Sequence, residues 1–167
     1  DMVLITLVGG ASVTFNRAFA SFGLADKVTR LGTLIDENTL LGIGAENSKN
    51  IFSAAGYFAN VQTNEAKAFA QRYAKKFGKK APILNSLSVS AYAGLIALDT
   101  IAERAGSLST KKMDSVAEGT EWDGPRGRAK MANRHLTLDI YLAEAKGANF
   151  EIVKTFPRQN PGNFCKA

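Results

Sequence analysis

Residues 1–24 read DMVLITLVGGASVTFNRAFASFGL, and they predict a strand, a turn and a helix. Met2 to Val8 is a continuous apolar run of strand length, which Gly9 and Gly10 interrupt. Ser12 is a candidate helix cap. Aromatic residues then recur at helical spacing until Gly23, namely Phe15, Phe19 and Phe22. A strand that is apolar on both faces is typical of a sheet covered on both sides. We therefore expect sheet elements before this strand and interpret the chain as the C-terminal part of a larger protein.

The same pattern repeats in the next thirty or so residues of the chain. Val28 to Leu34 and Ile51 to Phe58 are further strand candidates, and IDENTLLGIG predicts a short helix between them. Strands that alternate with helices in this way indicate a parallel sheet with right-handed crossovers. The expected fold class is therefore α/β, with a Rossmann-like parallel sheet.

The middle of the chain predicts helices. One runs from about Asn64 to Phe77, with Thr63 as its cap and Gly78 at its end. A longer helix from about Ser88 to Ala105 is apolar around much of its circumference, so we expect neighbours to bury it on several sides. A short helix is expected around residues 109–118.

The last third of the chain has a different pattern. WDGPRGRAKM reads as a turn-rich stretch. Leu136 to Ala145 and Phe150 to Phe156 then read as two antiparallel strands, because apolar residues alternate at period two and KGAN is a suitable hairpin connection.

Composition excludes several classes of protein. At 46% hydrophobic and 22% charged residues, the chain can bury a core and is not disordered. No apolar run reaches the roughly 18 residues that a transmembrane helix needs. Cys165 and His135 are the only residues of their types, which rules out an internal disulfide and a multi-thiolate metal site. We expect His135 to be half-exposed in a turn before a strand, and we expect no cofactor.

The net charge of +6 does not indicate a nucleic-acid partner. The lysines and arginines are spread over many segments and are interleaved with acids. They do not alternate with aromatic residues, as is typical of proteins that bind single-stranded nucleic acid. The densest basic cluster lies at a helix end, where it suits the helix dipole and reads as a solvated face; it comprises Arg72, Lys75, Lys76, Lys79 and Lys80.

Candidate ligand-binding residues follow the predicted parallel strands, since ligands of such sheets bind beyond the carboxyl ends of the strands. Gly9 and Gly10 allow the backbone to approach a ligand, and Ser12 offers a hydroxyl beside a helix N-terminus. A plain tight turn explains the two glycines equally well. After the second strand come Leu34 and the acids Asp36 and Glu37.

A carboxylate at Asp36 or Glu37 can accept hydrogen bonds from an ammonium or amide nitrogen, although two acids at a helix start are also favoured by the dipole. We expect only one of them to face a cleft. Tyr57 and Phe58 end the third strand, so one ring can form a wall against a solute while the other packs inside. Tyr92 is expected to be structural.

Five segments in order resemble the C-terminal half of a type I periplasmic binding protein, the solute receptor of an ABC importer. They are DMVLITLVGG, TLIDENTLLGIG, GYFANVQTNEAKAFAQRYAKKFG, SAYAGLIALDTIAERAG and WDGPRGRAKMANRHLTLDIYLAEAKGANFEIV. The resemblance is to the branch that binds amides, urea and branched-chain amino acids. One departure is Thr63-Asn64, where the family frequently has Thr-Pro.

The resemblance implies two lobes that close over a small polar solute and present it to a membrane permease, outside the cytoplasm and without catalysis. It implies that residues 1–58 belong to the second lobe, 59–131 to helices of the first, and 132–167 to the second again. From the order of the predicted helices and strands, we expect the chain to cross from one lobe to the other between Tyr57 and Thr63. A cytoplasmic ligand sensor on the same fold stays open as an alternative, as does a Rossmann-like enzyme, although LVGGAS lacks the G-x-G-x-x-G pattern.

Unpaired sheet edges and uncovered apolar faces would favour self-association of this chain. We therefore predict a dimer, with exchanged elements as one way to form it.

Overall fold

A computed structural model describes residues 1–162, so Cys165 lies outside the described residues. The chain divides into two compact units. Unit 1 comprises Asp1–Val61, Lys80–Ser86 and Ile140–Thr155, and unit 2 comprises Gln62–Lys79, Leu87–Asp139 and the described residues from Phe156. The chain first passes from unit 1 to unit 2 after Val61. The assignment of these segments to ligand-binding lobes stays a prediction.

Unit 1 contains the parallel sheet that the sequence predicts. Strands β1 (Met2–Ile5), β2 (Thr29–Gly32) and β3 (Ile51–Ala55) lie side by side in that order, and both neighbouring pairs are parallel. Two helices lie between them in sequence, α1 (Gly9–Ser21) and α2 (Glu37–Ile43). A short 3-10 helix, Ala45–Asn47, precedes β3. All three strands are shorter than predicted, because the apolar runs continue past the last paired residue into the loops.

The core of unit 1 lies around these elements. Buried side chains from the sheet, α2 and the loop between β2 and α2 include Ile5, Ile35, Leu40, Ile43 and Ile51. The ring of Phe58 packs against that of Phe150, with centroids 5.0 Å apart.

Unit 2 contains the predicted helices. They are α3 (Asn64–Phe77), α4 (Ser86–Ala105), which begins at the last residue of a unit 1 segment, and α5 (Thr110–Ala117). Thr63 caps α3 by accepting a hydrogen bond from the Ala66 amide at 3.3 Å, and Gly78 ends it, as predicted. A second 3-10 helix follows at Gly78–Lys80.

The stretch predicted to be turn-rich forms strands instead. Strands β4 (Glu121–Gly124) and β5 (Gly127–Ala132) pair antiparallel, with Trp122 opposite Ala129. Only Pro125 and Arg126 separate the strands, so the glycines and proline that indicated turns mark a single hairpin. Trp122, Ala129 and Leu138 form a small core there, against which Ile96 of α4 packs.

The predicted terminal hairpin is present. Strand β6 (His135–Lys146) and strand β7 (Asn149–Gln159) pair with each other across the two residues Gly147 and Ala148, a connection that only antiparallel strands allow. The first part of β6 pairs with β5, and its later part pairs antiparallel with β3. His135 is half-buried, as predicted, but it is the first residue of β6 and does not lie in the turn before it.

Two expectations about burial are wrong. Within the described residues β1 pairs only with β2, and Met2 and Leu4 are 63% and 60% exposed, so β1 is not covered on both faces. In α4, Leu95 and Leu98 are 67% and 54% exposed, and only Val89 and Ile101 are buried. An apolar sequence shows which faces can be buried, but coverage depends on neighbours that are distant in sequence.

Within residues 1–162, no helix combines the length and the apolar character that crossing a bilayer requires.

Candidate functional site

The candidate residues lie at one edge of the unit 1 sheet. Ile5 at the end of β1 is paired with Gly32 at the end of β2, and Gly32 is paired with Ser53 of β3. Because these strands are parallel, the loops that follow them leave from the same edge. Residues 6–8 lead into α1, residues 33–36 lead into α2, and residues 56–61 follow β3.

Gly9 and Gly10 are the first two residues of α1, which corrects their predicted place in a loop. Gly9 has a φ of +55°, the conformation that glycine tolerates best, while a Cβ at either glycine would meet no atom within 4 Å. Val8 precedes the helix, and no side chain caps it. The backbone N–H groups of the first helical turn lack intrahelical partners, so this exposed helix start can take the carboxylate of a solute.

Ser12 does not cap the helix, and this prediction is wrong. It is fully buried within α1, where its carbonyl oxygen accepts a hydrogen bond from Asn16 Nδ2 at 2.8 Å. The helix begins at Gly9 after Val8, four residues earlier than a cap at Ser12 predicts, and this shift turns Ser12 inwards.

Asp36 and Glu37 lie in different surroundings. Asp36 caps α2, and its Oδ1 accepts a hydrogen bond from the Thr39 amide at 2.9 Å. It is half-buried, so solvent reaches part of the side chain. The preference of acids for helix starts therefore explains its position, and a solute can still approach the carboxylate.

Glu37 is buried, with 3% of its surface exposed. Its Oε1 accepts a hydrogen bond from the Ala59 amide at 2.6 Å, while its Oε2 has no partner among the described residues. Burial raises the pKa of Glu37, and the hydrogen bond from Ala59 offsets part of this effect. Glu37 therefore links the start of α2 to the loop after β3.

Tyr57 and Phe58 lie beyond the end of β3, and each is 1% exposed. Neither ring forms an exposed wall in this structure, contrary to the expectation that one of them would. Burial and the nearby Glu37 carboxylate raise the pKa of Tyr57 to about 12. Leu34, by contrast, is 43% exposed in the loop between β2 and α2.

The seven candidate ligand-binding residues thus differ in their exposure to solvent. Four can be reached from solvent, namely Gly9, Gly10, Leu34 and Asp36. Three are buried, namely Ser12, Glu37 and Tyr57. The accessible four combine uncapped backbone amides, an apolar side chain and a carboxylate at one sheet edge.

Arg30 of β2 organises the interior behind this edge, and the sequence analysis did not single it out. It is fully buried, and it donates hydrogen bonds to Asn16 Oδ1 at 2.9 Å and to the carbonyl oxygens of Asn47 and Lys49 at 2.9 and 2.6 Å. Its guanidinium lies 4.9 Å from the centre of the Phe19 ring. Burial lowers the pKa of Arg30 to about 10, so it stays charged at neutral pH. The sequence feature that could have identified Arg30 is its position as a single cation within an apolar strand.

The described residues contain no group of three or more histidine, cysteine or acidic side chains arranged to hold a metal ion.

Comparison with solved structures shows the same fold in solute receptors. A solute-binding protein of an ABC transporter from Rhodopseudomonas palustris HaA2, in complex with p-hydroxybenzoic acid, is 27% identical, with a TM-score of 0.83. The alignment covers 100% of this chain and 48% of that one. A second R. palustris solute-binding protein, in complex with 4-hydroxybenzoate, is 25% identical over 99% of this chain and 48% of its own, with a TM-score of 0.78.

A leucine-binding protein from Thermotoga maritima MSB8 shares the fold at 18% identity. Its TM-score is 0.78, and the alignment covers 93% of this chain and 44% of that one. The chain therefore spans about half the length of the solved structures that it resembles. No curated protein sequence matches the chain.

A family model described as periplasmic binding protein matches residues 1–149, which is most of the chain. The mixed α/β architecture and the solved structures of solute receptors agree with this match. The chain belongs to the periplasmic binding protein family.

Proposed function

We propose that this chain is part of the solute receptor of an ABC importer, which captures a small polar metabolite and catalyses no reaction. The observation that carries the proposal is the family match over residues 1–149. The accessible residues at the sheet edge are consistent with binding, because they offer hydrogen-bonding groups for a polar solute. In this role the protein works outside the cytoplasmic membrane and delivers its solute to a permease.

Among amides, urea and amino acids, we favour an amino acid as the solute. The uncapped start of α1 supplies N–H donors for a carboxylate, and Asp36 supplies a negative charge for an ammonium group. Both follow adjacent parallel strands, so they lie at the same edge. Leu34 adds an apolar surface that can contact a side chain.

The Asp36→Asn variant tests this assignment, because asparagine caps helices as well as aspartate does but carries no charge. Isothermal titration calorimetry with the purified protein should show that an amino acid binds. The Asp36→Asn variant should bind it about 10- to 100-fold more weakly, because a charge-assisted hydrogen bond is lost. Binding of a neutral amide such as acetamide should change much less. Glu46→Gln, which alters another acid of unit 1, is the control and should leave binding unchanged.

An aromatic carboxylate is a second candidate, because the two R. palustris proteins that are at least 25% identical were solved with hydroxybenzoates. Titration with 4-hydroxybenzoate in parallel distinguishes the two classes. If 4-hydroxybenzoate binds and no amino acid does, the amino-acid assignment is wrong while the receptor function stands. If no member of the panel binds, including urea and acetamide, the result counts against solute capture.

The cytoplasmic sensor stays as the alternative to import. Cell fractionation of the native organism with an antibody against this chain separates the two, since an import receptor should be released with the periplasmic or extracytoplasmic fraction. Recovery only in the cytoplasm would favour the sensor.

A further inference from the structure

The carboxyl end of α3 and the 3-10 helix that follows it carry a basic patch, which we define as Arg72, Lys75, Lys76 and Lys79. All four side chains are exposed. Within residues 1–162, no carboxylate forms an ion pair with any of them. The negative end of the helix dipole favours cations here, but four unpaired cations within eight residues exceed what one helix end needs.

An exposed aromatic residue lies within the basic patch. α3 buries Ala66 and Phe69, and its apolar stripe continues through Tyr73 to Phe77. Phe77 is 51% exposed, and Lys76 Nζ lies 5.9 Å from the centre of its ring. A helix that combines a cationic face with an exposed aromatic ring is typical of a segment that lies in the headgroup region of a membrane.

We propose that the basic patch and Phe77 bind the surface of an anionic phospholipid bilayer. Charge complementarity supports this partner, since cations near an anionic bilayer gain affinity additively and without fixed geometry. Three of the four cations are lysines, whose flexible point charges suit a diffuse layer of phosphates. An acidic protein surface is less consistent with the patch, because lysine is depleted in protein interfaces and arginine is enriched. Phe77 would then insert at the level of the headgroups.

Co-sedimentation of the full chain with vesicles tests the proposal. Vesicles of phosphatidylglycerol and phosphatidylcholine in equal parts should bind the protein, while vesicles of phosphatidylcholine alone should not. Binding should weaken as salt is added, because screening shortens the range of the attraction. Lys75→Gln/Lys76→Gln should lower the partition coefficient by about 25-fold, which is about fivefold for each cation.

Lys111→Gln/Lys112→Gln is the matched control, since it removes the same charge from exposed positions at the start of α5. It should lower binding no more than a few-fold. Circular dichroism verifies that both double variants are folded. An equal loss in both variants would show that net charge alone acts, which would overturn the proposal, as would wild-type protein that stays in the supernatant.

The Phe77→Ser variant separates a bilayer from an acidic protein as the partner. It should reduce binding to the anionic vesicles and leave binding to soluble polyglutamate unchanged. Wild-type binding to polyglutamate without binding to vesicles would assign the patch to an acidic protein partner instead. Solute titration of the same variants reports on the proposed transport function separately, so failure of one proposal does not depend on failure of the other.

Discussion

Two ionisable side chains, Arg30 and Glu37, are buried in unit 1, and they differ in how their charges are compensated. Arg30 spreads its charge over several carbonyl oxygens and the Phe19 ring. Glu37 accepts one backbone hydrogen bond and leaves its second oxygen without a partner among the described residues. The Arg30 guanidinium thus has several acceptors, although its Nε has no hydrogen-bond partner among the described residues, whereas the Glu37 carboxylate has a single donor.

We predict that stability depends on the ionisation of Glu37. Its folded-state pKa is raised above the ordinary value of 4.5, so the folded protein holds this proton more tightly than the unfolded chain does. Below about pH 4.5 both states are protonated and Glu37 contributes no pH dependence. As the pH rises from there through the folded-state pKa, the unfolded state ionises first and stability falls, after which the loss is constant.

Glu37→Gln cannot ionise and should lack this loss. Urea denaturation of both proteins at a series of pH values should show that the variant gains stability relative to wild type as the pH rises from about 4.5. A difference that is constant with pH would contradict the prediction. The variant keeps an oxygen for the Ala59 amide, so the difference reports on charge.

We also predict that lysine cannot replace Arg30. Lysine keeps the charge but lacks the planar fork that reaches Asn16, Asn47 and Lys49 together. Arg30→Lys should lower the free energy of unfolding by about 2–4 kcal/mol, because buried acceptors lose their donors. Arg17→Lys is the control, since the exposed Arg17 makes a single bond of 3.3 Å to the Ile43 carbonyl and should cost less than about 1 kcal/mol. Equal losses in urea denaturation would show that Arg30 is not specifically required.

At the scale of elements, α2 and α4 differ in how closely their glycines are packed. A Cβ on Gly42 of α2 would lie 2.8 Å from Val13 Cγ2, so this glycine allows α1 and α2 to approach each other. A Cβ on Gly94 of α4 would meet nothing within 4 Å. Gly94 lines a cavity of about 90 Å³ in unit 2, next to Trp122 and Ala129.

Alanine at these two positions should therefore have opposite effects. Gly94→Ala should stabilise the protein by about 0.5–1 kcal/mol, because alanine is the better helix former and its methyl group has space. Gly42→Ala should destabilise it by about 1–3 kcal/mol, since the β-branched Val13 is stiff and must be displaced. Thermal unfolding followed by circular dichroism measures both, and stabilisation by Gly42→Ala would contradict the close approach.

At the scale of the whole molecule, large apolar side chains remain exposed in both units. They include Met2 and Leu4 of β1 and Leu95 and Leu98 of α4, each more than half exposed. Among the described strands, β1 has one neighbour, so it presents an open edge as well. Open edges and apolar faces of this kind favour association with another chain.

We therefore keep the prediction that this chain forms a dimer in solution. Light scattering coupled to size-exclusion chromatography at micromolar concentration should give twice the mass of 17.9 kDa. Leu4→Lys should shift the chain towards the monomer if the β1 edge mediates association, and Leu95→Lys should do so if α4 does. A monomeric mass for the unaltered chain would refute the dimer.

The sequence by itself determined the family, the order of the helices and strands outside the β4–β5 hairpin, and the parallel pairing of the first three strands. These features depend on local patterns: the apolar runs of β1 to β3, the cap at Thr63, the glycine at position 78 and the alternation in β6. Each acts over a few residues, so its physical cause is contained in the segment that shows it. The β4–β5 hairpin was missed because its strands are short and rich in charge and glycine.

Only the tertiary structure decided which candidate residues a solute can reach. Asp36 and Glu37 are adjacent and chemically alike, yet one is a half-exposed helix cap and the other is buried against Ala59. Ser12 was displaced into the interior by a helix that begins at Gly9, and the apolar circumference of α4 gave no sign that Leu95 and Leu98 would stay exposed. Burial is set by residues far away in the sequence, and no local pattern contains that information.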